Sequence, residues 1–187
     1  SSNAEYITDA AHYISARYDD VLAVIDAQDP DVLCLNELNG EWWSYIGEAL
    51  TGENGKYGYY GISSTTGKVA SDLKVTSDKW DTIPMVLYKK AKFTPIDQGS
   101  FFCPPDDRGL ATPNNWIKLE DKETGGRFIA MTQHLRAGSE ANNQQVRIDS
   151  AELILEKLQE ISDNLPVFIM GDFNCYSVKD RAVYLEK

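Results

Sequence analysis

Apolar residues change their spacing several times along the chain, and each change marks a new element. Ala11, Ile14, Tyr18, Val21, Leu22 and Ile25 recur three or four positions apart, which predicts a helix over 10–28. Asp29-Pro30 ends it, because proline disfavours helical backbone in the residue before it. A continuous apolar run from Val32 to Leu35 follows and closes on Asn36-Glu37, which reads as a buried strand over 31–37. Asn39 can cap a second helix over 41–50, carrying Trp42, Trp43, Tyr45, Ile46 and Leu50. Adjacent tryptophans are not expected to share one core across a helix, so one should lie near the surface, under a loop or along a cleft. Residues 51–80 are rich in Gly, Ser, Thr and Lys. They carry a predicted strand at 57–62 and are the natural place for a loop that shapes a substrate.

Beyond them, 82–89, 92–96 and 100–103 read as successive strands, and 104–109 as a loop. Residues 115–120 and 127–134 form a hairpin around Thr124-Gly125-Gly126, a strong turn signal. The polar stretch 136–145 reads as a loop. Val146, Ala151, Ile154, Leu155, Leu158 and Ile161 then return to helical spacing until Asn164-Leu165-Pro166 stops them. Val167-Phe168-Ile169-Met170 is a last buried strand, ending in Gly171, and 180–185 a short helix. A helix–strand pair, several antiparallel strands, and a second helix–strand pair make an α+β domain.

The chain has 187 residues, 42% hydrophobic and 25% charged, enough for one globular domain with a substantial core. Ser2-Asn3-Ala4 reads as the remnant of an expression tag, which leaves 5–187 as a single domain with its natural N-terminus out of view. No apolar run approaches the length that crosses a bilayer. A net charge of −11 argues against an electrostatic grip on a long polyanion, since the one basic cluster is Lys89-Lys90-Lys92. A bound divalent cation would offset that charge locally. Of the three cysteines, Cys34 is expected as a buried free thiol. Cys103 and Cys175 can pair only if the fold brings them together. Metal-spaced Cys/His clusters are absent from the sequence, which argues against a structural zinc.

The strand ends carry the chemistry. In an extended chain Asp172 and Asn174 project from one face, and Gly171 gives room for a bend just before them. A carboxylate can bind a hard cation or take a proton from water, and a carboxamide can hold that water or a phosphate oxygen. They can equally just cap the turn that follows. Glu37 closes one further apolar strand and His134, one of two histidines, another. Glu, His and Asp-x-Asn at three strand ends read as one polar site at a sheet edge.

With Pro-Asp-x-x-x-Leu-x-Glu at 30–37, Thr-x-His-Leu at 132–135 and Gly-Asp-Phe-Asn at 171–174, the chain resembles the endonuclease/exonuclease/phosphatase superfamily over roughly residues 12 to 185. These are metal-dependent phosphoesterases that include deoxyribonuclease I. The resemblance implies a two-sheet α/β sandwich in four layers, α/β/β/α. It implies Glu37 as a magnesium or manganese ligand. Asp172 would orient or activate water and contribute to the metal site. Asn174 would hold phosphate or water, and His134 would donate to the phosphate.

Some family features differ here. The usual motif is Thr-His-Leu, Asn36 stands for the usual glutamine, and the strand at 82–89 offers Thr82, with Asp81 beside it, for a second glutamate. Arg17 matches a family arginine but reads equally as a solvated helix side chain; His12 matches nothing. The family opens with a strand bearing an asparagine and closes with an Asp-His acid/base pair. Neither is in this sequence, so the domain is expected to lack those strands, to expose sheet edges open to self-association, and to be a feeble catalyst. The expected function is hydrolysis of a phosphodiester or phosphomonoester by activated water. The alternative is a catalytically incomplete domain acting as a binding or relic module. Small molecule, lipid headgroup and nucleic acid are not distinguished as substrate, though the acidic balance favours a small or neutral-headed one.

Overall fold

The computed structural model describes residues 14–64 and 82–175; His12, Asp81 and the helix expected at 180–185 lie outside them. Helix α1 spans Ile14–Gln28 and ends where Asp29 turns to φ 41°. Strand β1, Val32–Asn39, runs two residues past its expected end. A bulge between Leu35 and Leu38 takes in Asn36 and Glu37, after which pairing resumes with Leu38 opposite Ile83. Such an extra residue bends a strand and re-aims its side chains. Asn39 caps α2, Gly40–Thr51, its Oδ1 accepting from the Trp42 N–H at 3.0 Å.

Trp42 and Trp43 depart from expectation, because both are half-buried and pack on the same core. Trp43 lies within the buried stripe of Ile46, Gly47 and Leu50, and Trp42 at its margin, where a large ring can lean inward. The Arg17 guanidinium lies over the Trp42 ring, 5.8 Å from its centroid. Trp43 lies across Gly47, where a Cβ would meet its ring at 2.8 Å, and touches Tyr59 with centroids 5.0 Å apart.

Strand β2 is Tyr57–Tyr60 and β3 is Thr82–Lys89; with β1 they form an antiparallel sheet in the order β1-β3-β2. The second sheet has the order β4-β5-β6-β7. Where two short strands were expected, β4 is one, Phe93–Phe102. A register shift between Pro95 and Asp97 absorbs the interruption, and the outer position tolerates a proline that cannot donate. Strands β5, Pro113–Asp121, and β6, Arg127–His134, form the expected hairpin. Its turn is held by Asp121 Oδ1, which accepts from the Thr124 N–H at 2.8 Å.

Helix α3, Ala141–Ile161, begins inside the stretch 136–145 read as loop. Its first turns are Asn- and Gln-rich and mostly exposed, so no apolar stripe announces them. Strand β7, Val167–Asp172, lies parallel to β6.

Side chains of β3 alternate between two cores. Met85 and Leu87 face α1 and α2 with Ile25, Leu38, Ile46 and Leu50, whereas Val86 and Tyr88 face the other sheet with Ile117, Leu119 and Ala130. On the far side, Ile154 and Leu158 of α3 pack on Ile129 and Met131. The architecture is therefore the expected four-layer α/β/β/α sandwich, with strands buried on both faces. Each fully buried Leu, Ile, Val or Met contributes about 1.5–3 kcal/mol relative to exposure. No helix among the described residues is long and apolar enough to cross a membrane.

Candidate active site at three strand ends

The ends of β1, β6 and β7 meet at the backbone of Gln133. The Asn36 carboxamide Nδ2 donates to the Gln133 carbonyl at 2.9 Å, and its Oδ1 accepts from Thr132 Oγ1 at 3.1 Å. This pair of bonds ties the first sheet to the second one position before His134. From the other side Gly171, at φ +140°, faces Gln133 in the parallel register. A Cβ there would fall 2.0 Å from the Gln133 oxygen and 2.9 Å from Asn36 Nδ2, so only glycine fits.

The bulge holds Glu37 at φ +58°. That left-handed backbone costs a non-glycine residue about 1–2 kcal/mol, and it turns the carboxylate outward. The Glu37 side chain is 76% exposed, with Oε1 3.8 Å from His134 Nε2. Asp172 stands opposite His134 in the β6–β7 pairing, on a neighbouring strand about 4.8 Å away.

The turn after β7 locks this corner. Asp172 Oδ1 accepts from the Asn174 N–H at 2.8 Å, and Asn174, at φ +46°, donates through Nδ2 to the Leu135 carbonyl at 2.9 Å. The Leu135 N–H donates to the Asp172 carbonyl at 2.9 Å. One oxygen of Asp172 thus caps the turn, while Oδ2 is engaged by no described residue. Positive φ at Glu37, Gly171 and Asn174 gathers strained backbone around His134, as functional sites commonly do.

The four residues singled out from sequence, Glu37, His134, Asp172 and Asn174, are therefore brought to one corner, with both carboxylates exposed. No cage of three or more His, Cys, Asp or Glu exists among the described residues. Two open carboxylates nevertheless suit magnesium, which keeps several waters and takes one or two protein carboxylates. Arg17 stacks on Trp42, in keeping with a helix side chain.

The thiols stand apart from this chemistry. Cys34 lies between the sheets, where burial pushes its thiol up to about 12 despite a hydrogen bond with Thr132, and a thiol so raised is inert. Cys103 forms no disulfide, and Cys175 Sγ lies 3.4 Å from the Phe173 carbonyl oxygen. Cys103 is buried beside Asn114, whose Nδ2 lies 3.1 Å from its sulfur.

Sequence reasoning missed the polar brace beside the site. Arg147 is 2% exposed, and its Nη1 donates to the carbonyls of Arg136 at 2.8 Å and Gly138 at 2.7 Å. Its signal was present, because Arg147 shares one helical face with Ala151, Ile154 and Leu158. An arginine on an apolar stripe must take its hydrogen bonds inward.

Comparison with known proteins agrees with this geometry. Residues 3–182 match the Endonuclease/Exonuclease/phosphatase family. Protein angel of Drosophila melanogaster is 27% identical over 146 residues, which cover 78% of this chain and 39% of that protein. An endonuclease/exonuclease/phosphatase from Bacteroides vulgatus superposes with a TM-score of 0.77 at 23% identity, covering 96% of this chain and 66% of that one. A mannosyl-6-phosphatase from Bacteroides thetaiotaomicron gives 0.73 at 22%, covering 92% and 62%. The chain thus spans well under half of the curated relative and under two thirds of each of the two solved structures. At these identities the solved structures share its fold.

Proposed function

Because the chain belongs to the endonuclease/exonuclease/phosphatase family, we propose that Glu37, His134, Asp172 and Asn174 form a site for hydrolysing a phosphodiester or phosphomonoester. The observation that carries this reading is the convergence of three strand ends, with the Glu37 carboxylate 3.8 Å from His134 Nε2 and Asp172 opposite His134 in register. Magnesium or manganese is the cofactor of this reading. Glu37 and Asp172 would hold it, and when bound it would offset phosphate charge and acidify a coordinated water.

The chain's own groups do the rest. His134 donates to a non-bridging phosphate oxygen and meets the charge that develops there. Asp172 Oδ2 orients the attacking water and takes its proton as the P–O ester bond breaks. Asn174, fixed by its bond to the Leu135 carbonyl, holds the phosphate or that water without adding charge. The net charge of −11 favours a small phosphoester over a long polyanion.

Hydrolysis of bis-nitrophenyl phosphate with manganese tests the reading. His134→Ala and Asp172→Asn should each lower the rate about a hundred- to ten-thousand-fold. Wild-type rates in both variants would remove the site. Manganese binding without turnover in the wild type would instead leave a binding module.

A further inference from the structure

Two residues beyond His134, Arg136 is held from three directions. Its carbonyl accepts from Arg147, its Nε donates to Asn143 Oδ1 at 3.1 Å, and its Nη1 lies 3.3 Å from Asp106 Oδ2. Asp106 is built in as well, its side chain 1% exposed. It accepts from the N–H groups of Arg108 and Leu110 and from Nε and Nη2 of Arg108. Leu135, between Arg136 and His134, is pinned on both sides to the end of β7. The Arg136 and His134 α-carbons are therefore no more than about 7 Å apart, on a backbone with little freedom.

Exposure points the same way. Asp106 serves two guanidiniums. Adding Arg147, the exposed Asp107, and Glu140 through its bond from Asn143 at 2.6 Å, sets three arginines against three carboxylates. Asp107 is exposed and forms no ion pair with a described residue. A brace alone would need the inward contacts only. Yet Arg136 is 29% exposed, its Nη2 is engaged by no described residue, and Arg108 beside it is 54% exposed.

We propose that Arg136, with Arg108 at its side, takes a second anionic group of the substrate, a phosphate or carboxylate, while the scissile phosphoester lies at His134. This rests on the phosphoesterase reading above. The planar guanidinium fork suits either anion, and an arginine already anchored loses little freedom when it binds.

The test is a dinucleoside monophosphate with and without a terminal 5′-phosphate, assayed with manganese. The wild type should favour the phosphorylated substrate about tenfold in kcat/KM, mainly through KM. Arg136→Ala should bring that ratio close to one, and Arg136→Lys should keep part of it. No preference in the wild type, or equal losses on both substrates in Arg136→Ala, overturns the proposal. If the wild type cleaves neither substrate, the phosphoesterase reading fails, and binding alone decides the anion site. Inorganic pyrophosphate should then raise the Tm of the wild type but not that of Arg136→Ala or Arg108→Ala. An absent rise in the wild type, or an undiminished rise in both variants, overturns it.

Discussion

Single backbone positions set the site, and their strain is measurable. At Gly171 an added methyl meets a carbonyl oxygen at 2.0 Å, and neither strand can yield without moving the other. Gly171→Ala should cost about 3 kcal/mol, the upper range for overpacking, in denaturant unfolding. Gly125→Ala is the control: φ is +71° but nothing lies within 4 Å, so only the conformational cost of about 1 kcal/mol remains. Equal losses would mean that the close approach at Gly171 is relaxed in solution. Glu37 offers the converse comparison, since glycine fits φ +58° and alanine does not. Glu37→Gly should be more stable than Glu37→Ala by about 1 kcal/mol, and the reverse order would deny the left-handed backbone. Glu37, His134 and Asp172 were singled out in the sequence because each follows an apolar run, and Asn174 because it lies two residues beyond Asp172. The bulge that turns Glu37 outward was not, since no residue type marks it. Asn36 was noticed only as a replacement, although its side chain is what ties the two sheets together there.

Among the elements, the loop after β4 is joined to the loop after β6 through one carboxylate, which gives a pH dependence of known sign. Burial alone would push the Asp106 carboxyl up. The Leu110 N–H, the Arg108 guanidinium and N–H, and the charge of Arg136 outweigh it and hold the group below the ordinary range. A depressed folded value means that the stabilisation is complete above the unfolded value of about 3.9 and is lost as pH falls through the folded one. Melting temperature should therefore fall on acidification below about pH 4. Asp106→Asn should be less stable at neutral pH by about 1–3 kcal/mol, from donors left unmatched, and its acid slope should be shallower. An unchanged slope would assign the acid response elsewhere. This brace was illegible because Asp106 and Arg136 lie thirty positions apart in stretches whose polarity reads as loop. The single β4 strand was hidden in the same way, by a proline and a glycine that normally break one. The hairpin, the capped α2 and the limits of β3 were legible because turn residues and apolar period agreed.

For the whole molecule, the alternation along β3 assigns one residue to each of two cores, and that alternation makes two sheets with helices outside. Because β3 is buried almost throughout, that alternation was not visible as a period, and the layer order was expected from the resemblance carried by the strand-end motifs. What sequence could not supply was the distance between strand ends far apart in the chain. The central claim is that those ends make one cation site. Calorimetric titration of manganese into the wild type, Glu37→Gln and Asp172→Asn tests it most directly. The account predicts that each variant loses at least about tenfold in affinity, the loss of one charged ligand from the ion. Unchanged affinity in either single variant would mean that the two carboxylates do not serve one ion.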